Sequence, residues 1–72
     1  MEFTKDDIEP FKAWLDSKGL AHRPGKGQWQ VLQVCLEECG FQVLFINKHG
    51  RYTSNDKLSD TIYEYLCFSR GV

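Results

Sequence analysis

Long apolar runs are missing from this chain. Nowhere do about 18 apolar residues follow one another, so no segment is suited to cross a bilayer as a helix. An excess of either charge is missing as well. Nine Lys and Arg against ten Asp and Glu leave a net charge of −1, which gives no global pull toward nucleic acid or an anionic membrane. The three cysteines are an odd number and fit no disulfide framework. The opening Met1-Glu2-Phe3-Thr4-Lys5-Asp6-Asp7 is acidic and polar, the opposite of a secretory leader. Free thiols in a reducing, cytoplasmic setting are therefore expected. Internal repeats, low-complexity tracts and linkers are absent too, so residues 1–72 read as a single domain.

Aromatic residues are plentiful, at 14% of the chain. They matter because 72 residues lie near the lower limit for a core without staples, and each ring removes a large apolar area from water.

The local signals run in a clear order. Thr4 is placed to cap a first helix by accepting from the amide of Asp7, with Phe3 and Ile8 at staple positions. Asp6, Asp7 and Glu9 then face the positive end of the helix dipole. Ile8, Phe11 and Leu15 form an apolar stripe and Gly19 ends it, while Pro10 predicts a kink or a separate turn over residues 5–9. Residues 20–28 read as a loop because Pro24, Gly25 and Gly27 fall together. Residues 29–53 read as a three-stranded meander. Its breaks, Glu37-Glu38-Cys39-Gly40 and Asn47-Lys48-His49-Gly50, each end in a glycine that can close a type I turn in the left-handed conformation. Ser54, Asn55 and Asp56 are candidate caps for a second helix whose stripe is Leu58, Ile62, Tyr65 and Leu66. The predicted fold is α+β: helix, three-stranded antiparallel meander, helix (αβββα), with the helices mainly on one face of the sheet. On that reading a fully buried Ile62 would lose about 2–4 kcal/mol on replacement by alanine.

That order is similar to the double-stranded-RNA-binding domain. Domains of that kind grip phosphates from a Lys-rich start of the second helix and from the first hairpin loop. The corresponding places here hold Asn55-Asp56-Lys57-Leu58-Ser59-Asp60 and Glu37-Glu38, so the likeness stops at topology. Three further stretches, Phe11-Lys12-Ala13-Trp14-Leu15, Gly27-Gln28-Trp29-Gln30-Val31-Leu32 and Lys48-His49-Gly50-Arg51-Tyr52-Thr53, resemble small accessory proteins encoded by bacteriophages and prophages. The resemblance implies an intracellular bacterial or phage setting and a role exercised by binding a larger protein.

Catalytic and metal chemistry find little purchase. Cys35-x-x-x-Cys39 is the only close cysteine pair, and a tetrahedral zinc site usually needs two such pairs. Neither His22 nor His49 pairs with a thiol in the manner of an activated nucleophile. No metal, no cofactor and no enzymatic activity are expected. Charge placement is more informative. In an up-down-up meander, the start of the first strand and the second turn share one end, which gathers Lys18, His22, Arg23, Lys26, Lys48, His49 and Arg51. The opposite end is assigned Glu2, Asp6, Asp7, Glu9, Glu37, Glu38, Asp56 and Asp60. The pole of Arg23, Lys26, Lys48, His49 and Arg51 is the candidate site for nucleic acid, which is the alternative function.

The sheet carries the preferred reading. A sheet covered on one side should alternate apolar and polar residues, yet the first strand offers Trp29, Val31 and Cys35 on one face and Leu32, Val34 and Leu36 on the other. The second offers Phe41, Val43 and Phe45 against Leu44 and Ile46. Two short helices cannot cover both. Trp29, Val31, Val43 and Phe45 are thus interface candidates for a protein partner or a homodimer.

Overall fold

The computed structural model describes residues 2–71. A 3-10 turn, Lys5–Asp7, leads into α1 (Ile8–Ser17); strands β1 (His22–Pro24), β2 (Gln30–Leu36), β3 (Gly40–Ile46) and β4 (Tyr52–Ser54) follow, then α2 (Asp56–Arg70). Among the described residues the strands form one antiparallel sheet in the order β1-β2-β3-β4. The α+β class and the helix–strands–helix order are those expected. The sheet differs by one strand.

That strand, β1, lies inside the stretch read as a loop. Its register pairs His22 with Val34, Arg23 with Gln33 and Pro24 with Leu32. Pro24 and the neighbouring glycines argue against a central strand, but β1 is an edge, where a missing N–H can face outward without loss. Gly25 is then required for a separate reason. A Cβ there would lie 2.2 Å from the carbonyl oxygen of Gln30, so the β1–β2 connection closes only around a glycine. Gly25→Ala is expected to cost about 1–3 kcal/mol through overpacking. Amide exchange should report it locally, because the Cys35 N–H, which donates to the Ala21 carbonyl at 2.8 Å, would lose protection. Unchanged protection at Cys35 would mean that the connection tolerates a side chain.

Both predicted turns form. Gly40 and Gly50 have φ of 73° and 79°, the Cys39 amide donates to the Leu36 carbonyl and the Gly50 amide to the Asn47 carbonyl. The Asn47 side chain braces the second turn by accepting from the amides of His49 and Arg51. Among the candidate caps Asn55 is the one used, its Oδ1 accepting from the Leu58 amide at 3.0 Å. Pro10 sits in the first turn of α1, where its missing N–H has no intrahelical partner to lose. The separate turn expected ahead of it is the 3-10 segment. Thr4 and Asp7 form a capping box at the start of the 3-10 turn: the Asp7 amide also donates to the Thr4 carbonyl, and the Thr4 N–H donates to the Asp7 carboxylate at 2.8 Å.

The core lies between the helices and one face of the sheet. It joins Phe11, Trp14 and Leu15 of α1 to Leu32, Val34 and Leu44 of the sheet and to Leu58, Tyr65 and Leu66 of α2. Ile62 is only half-buried, so the loss expected for a fully buried Ile62 belongs to Leu58 and Leu66 instead. The ring of Phe11 meets those of Phe3 and Tyr65 edge-on at 5.3 and 5.1 Å.

Candidate functional site

Strand alternation decides which side chains share the face turned away from the helices. With Leu32, Val34 and Leu44 in the core, the other face takes Gln33 and Cys35 from β2, Phe41, Val43 and Phe45 from β3, and Arg23 and Thr53 from the edges. A bulge between Gln30 and Leu32 shifts the β2–β3 register. It brings Gln30 onto the open face, where its side-chain oxygen accepts from Gln33 Nε2 at 3.2 Å. Val31, at the same bulge, is half-buried against the core.

The open face is an apolar strip with a polar border. Phe41 and Phe45 each keep 41% of their surface exposed, with Val43 between them. Arg23 lies across one end, its guanidinium 3.7 Å from the Phe41 ring centroid, a cation–π contact worth about 0.5–1 kcal/mol in water. Its Nε also donates to Gln33 Oε1 at 2.5 Å, so the Gln33 amide is buried on a side that no helix covers. Gln30 continues the chain of polar contacts by accepting from the Lys26 amide at 3.0 Å. Arg23 therefore belongs to this face. Trp29 continues the β2–β3 ladder, its carbonyl accepting from the Ile46 amide at 2.9 Å, with 48% of the residue exposed.

The charged poles separate less cleanly than the sequence suggests. The β1–β2 and β3–β4 connections do fall at one end of the sheet, so Lys26, Lys48, His49 and Arg51 share it. Glu2, expected at the other end, lines a hollow there together with Lys5, His49 and Arg51. Lys18 is at the opposite end, beside Glu37, Glu38 and Asp60, with Nζ 3.9 Å from Glu64 Oε1. Both corrections have one cause. Helix α1 runs from the basic turns toward the acidic hairpin, opposite to the direction assumed, because a strand, β1, intervenes between it and β2. His22 is a strand residue whose Nε2 meets Asp16 Oδ1 at 2.9 Å, not an exposed loop residue.

Sequence reasoning also missed the strongest polar constellation. Asp7 is buried and its carboxylate accepts from both terminal nitrogens of Arg70, at 2.8 and 2.9 Å, and from the Tyr65 hydroxyl at 3.2 Å. The Arg70 guanidinium, helped by the Thr4 amide and hydroxyl, holds the Asp7 carboxyl well below the usual carboxylate range against the opposing effect of burial. Every oxygen of the group is engaged with a fold element, which makes it a structural clamp.

Cys35, Cys39 and Cys67 are free thiols, each half-buried. Among the described residues no three His, Cys, Asp or Glu side chains gather as a metal site would require, and no helix is long and apolar enough to cross a membrane. Compared with protein-family models, curated proteins and solved structures, the chain matches none of them.

Proposed function

We propose that this chain is a non-catalytic binding module, a small accessory protein of the phage or prophage kind that binds a larger protein through the open face of its sheet. The observation that carries the reading is the strip of Phe41, Val43 and Phe45, two of its rings two-fifths exposed, on a side no helix covers. Apolar strips with aromatic and Arg residues are what the centres of protein interfaces are made of. Gln33 and Arg23 are pre-positioned by their mutual bond, so little side-chain ordering is left to oppose association.

A photo-crosslinking residue at position 45, with a control at exposed Glu38 on the far hairpin, tests this in bacterial cells. A protein adduct at position 45 that is absent at position 38 and abolished by Val43→Lys is the expected result. Equal adducts at both positions, or none at 45, would remove the reading. Light scattering of the purified chain tells a second copy from a larger partner.

One observation favours a second reading. Lys26, Lys48, His49 and Arg51 share one end of the sheet, the geometry a phosphate backbone would need. If they bind nucleic acid, affinity for mixed duplex and single-stranded probes should fall steeply with salt, and replacing Lys26, Lys48 and Arg51 should flatten that slope. Absence of binding at low salt would leave the open face as the contact surface.

A further inference from the structure

The two edges of the sheet are built differently. In an antiparallel pair, residues alternate between exchanging hydrogen bonds with the neighbour and pointing their backbone groups away from it. On the β1 side, the Cys35 amide bonds to the Ala21 carbonyl, so Ala21 and Arg23 face β2 while His22 and Pro24 face out. Pro24 has no N–H to offer, and the His22 side chain is held by Asp16. Such an edge is blunted against pairing. On the β4 side, the Asn47 amide bonds to the Arg51 carbonyl at 2.9 Å, so Arg51 and Thr53 face β3. Tyr52 and Ser54 turn their N–H and C=O groups outward. Among the described residues no backbone bond joins these groups to the segment of residues 2–4 that passes beside them.

Next to that open edge lies a hollow of about 730 Å³ between β4, residues 2–5 and α2. Phe3, Ile46, Tyr52, Ile62 and Leu66 give it an apolar lining, and Lys5, His49 and Arg51 stand on it against the single carboxylate of Glu2. A free backbone edge selects an extended chain, and an apolar trough beside it selects alternate apolar side chains. Arg51, which strand alternation turns to the side opposite Tyr52, favours acidic residues at the positions between the apolar ones.

We infer that the outer edge of β4 takes up an extended segment of a partner protein, apolar and acidic in alternation, as a fifth strand of the sheet, with its apolar side chains in the hollow between β4 and α2. This surface is separate from the open face. It adds directional backbone bonds to a module whose other contact is a flat apolar strip.

The test uses nuclear magnetic resonance on the labelled chain and a synthetic probe, the acetylated and amidated heptapeptide Glu-Val-Glu-Phe-Glu-Val-Glu. Saturable shifts of the Tyr52 and Ser54 amides, with slowed exchange of both, are expected. A lysine-for-glutamate probe should bind about tenfold or more weakly, and a probe N-methylated at alternate residues should not bind. Ser54→Pro removes the outward N–H and, with the hydroxyl, the contacts to the Asn55 carbonyl and Ser59 Oγ. It should keep the circular dichroism spectrum and lose the response, whereas Ser54→Ala, which loses the hydroxyl alone, and Val43→Lys should keep both. Three results would overturn the inference. They are absence of saturable shifts at Tyr52 and Ser54 at millimolar peptide, full binding of the N-methylated probe, and a peptide-free dimer that Ser54→Pro dissociates. The last would give the edge to a second copy of the chain.

Discussion

Phe11→Ala should bring this protein close to unfolding. The side chain is fully buried and lies at the meeting point of three rings, edge-on to Phe3 and Tyr65 and stacked at 6.0 Å on Trp14. Removing an aromatic ring from such a site costs about 3–5 kcal/mol. At about 0.05–0.15 kcal/mol per residue, a domain of this length has roughly 4–11 kcal/mol to lose. Urea melts measure the loss. Phe41→Ala is the paired control, because that ring keeps 41% of its surface exposed, with Arg23 laid over it; its effect should stay within about 1 kcal/mol. Equal losses at the two positions would mean that the open face carries as much of the fold as the helix face does.

Asp7→Ala is the second large effect. The carboxylate ties the chain start at Thr4 to Tyr65 and Arg70 near the end of α2, and its removal leaves a buried hydroxyl and a guanidinium without their acceptor. Breaking a buried pair from one side costs about 3–5 kcal/mol. Arg70 keeps 33% of its side-chain surface in water, which trims the expectation to about 2–4 kcal/mol. The same clamp sets a pH dependence. Asp7 titrates below the usual range when folded and within it when unfolded, so protons bind the unfolded chain first. Its contribution is complete above the ordinary carboxylate range and is lost progressively as pH falls through that range toward the depressed folded value. Between neutral pH and pH about 3, the unmodified chain should therefore lose more stability than Asp7→Asn. Parallel acid losses in the two proteins would take the clamp out of the account.

What the sequence could show of this fold was whatever is decided within a few residues. The Gly40 and Gly50 turns, the Asn55 cap and the stripe through Leu58, Tyr65 and Leu66 are local, and they stand where the pattern puts them. Strand β1 is not local. His22-Arg23-Pro24 has poor strand propensity and exists by pairing with Gln33 and its neighbours across a connection that only Gly25 permits. The misplacing of Lys18 and Glu2 follows from that missing strand, since one extra pass of the chain reverses the direction of α1. Asp7 looked like ordinary dipole matching because its partner Arg70 is 63 residues away. For the candidate site, the doubled apolar faces were visible as a surplus. The bulge that half-buries Val31 and turns Gln30 outward, and the bond that lays Arg23 over Phe41, depend on register.

Polymerisation is governed by the unequal edges. Growth of a fibre by strand addition needs every unit to receive a strand at one edge and donate one from the other. Here Pro24 removes one of the two N–H donors that the three-residue β1 edge would turn outward, at His22 and at position 24. Addition at β4 is therefore disfavoured from propagating, whether the newcomer is a peptide or another copy. A variant that restores a donor there, such as Pro24→Val, would give the sheet two receptive edges and with them a route to head-to-tail aggregation.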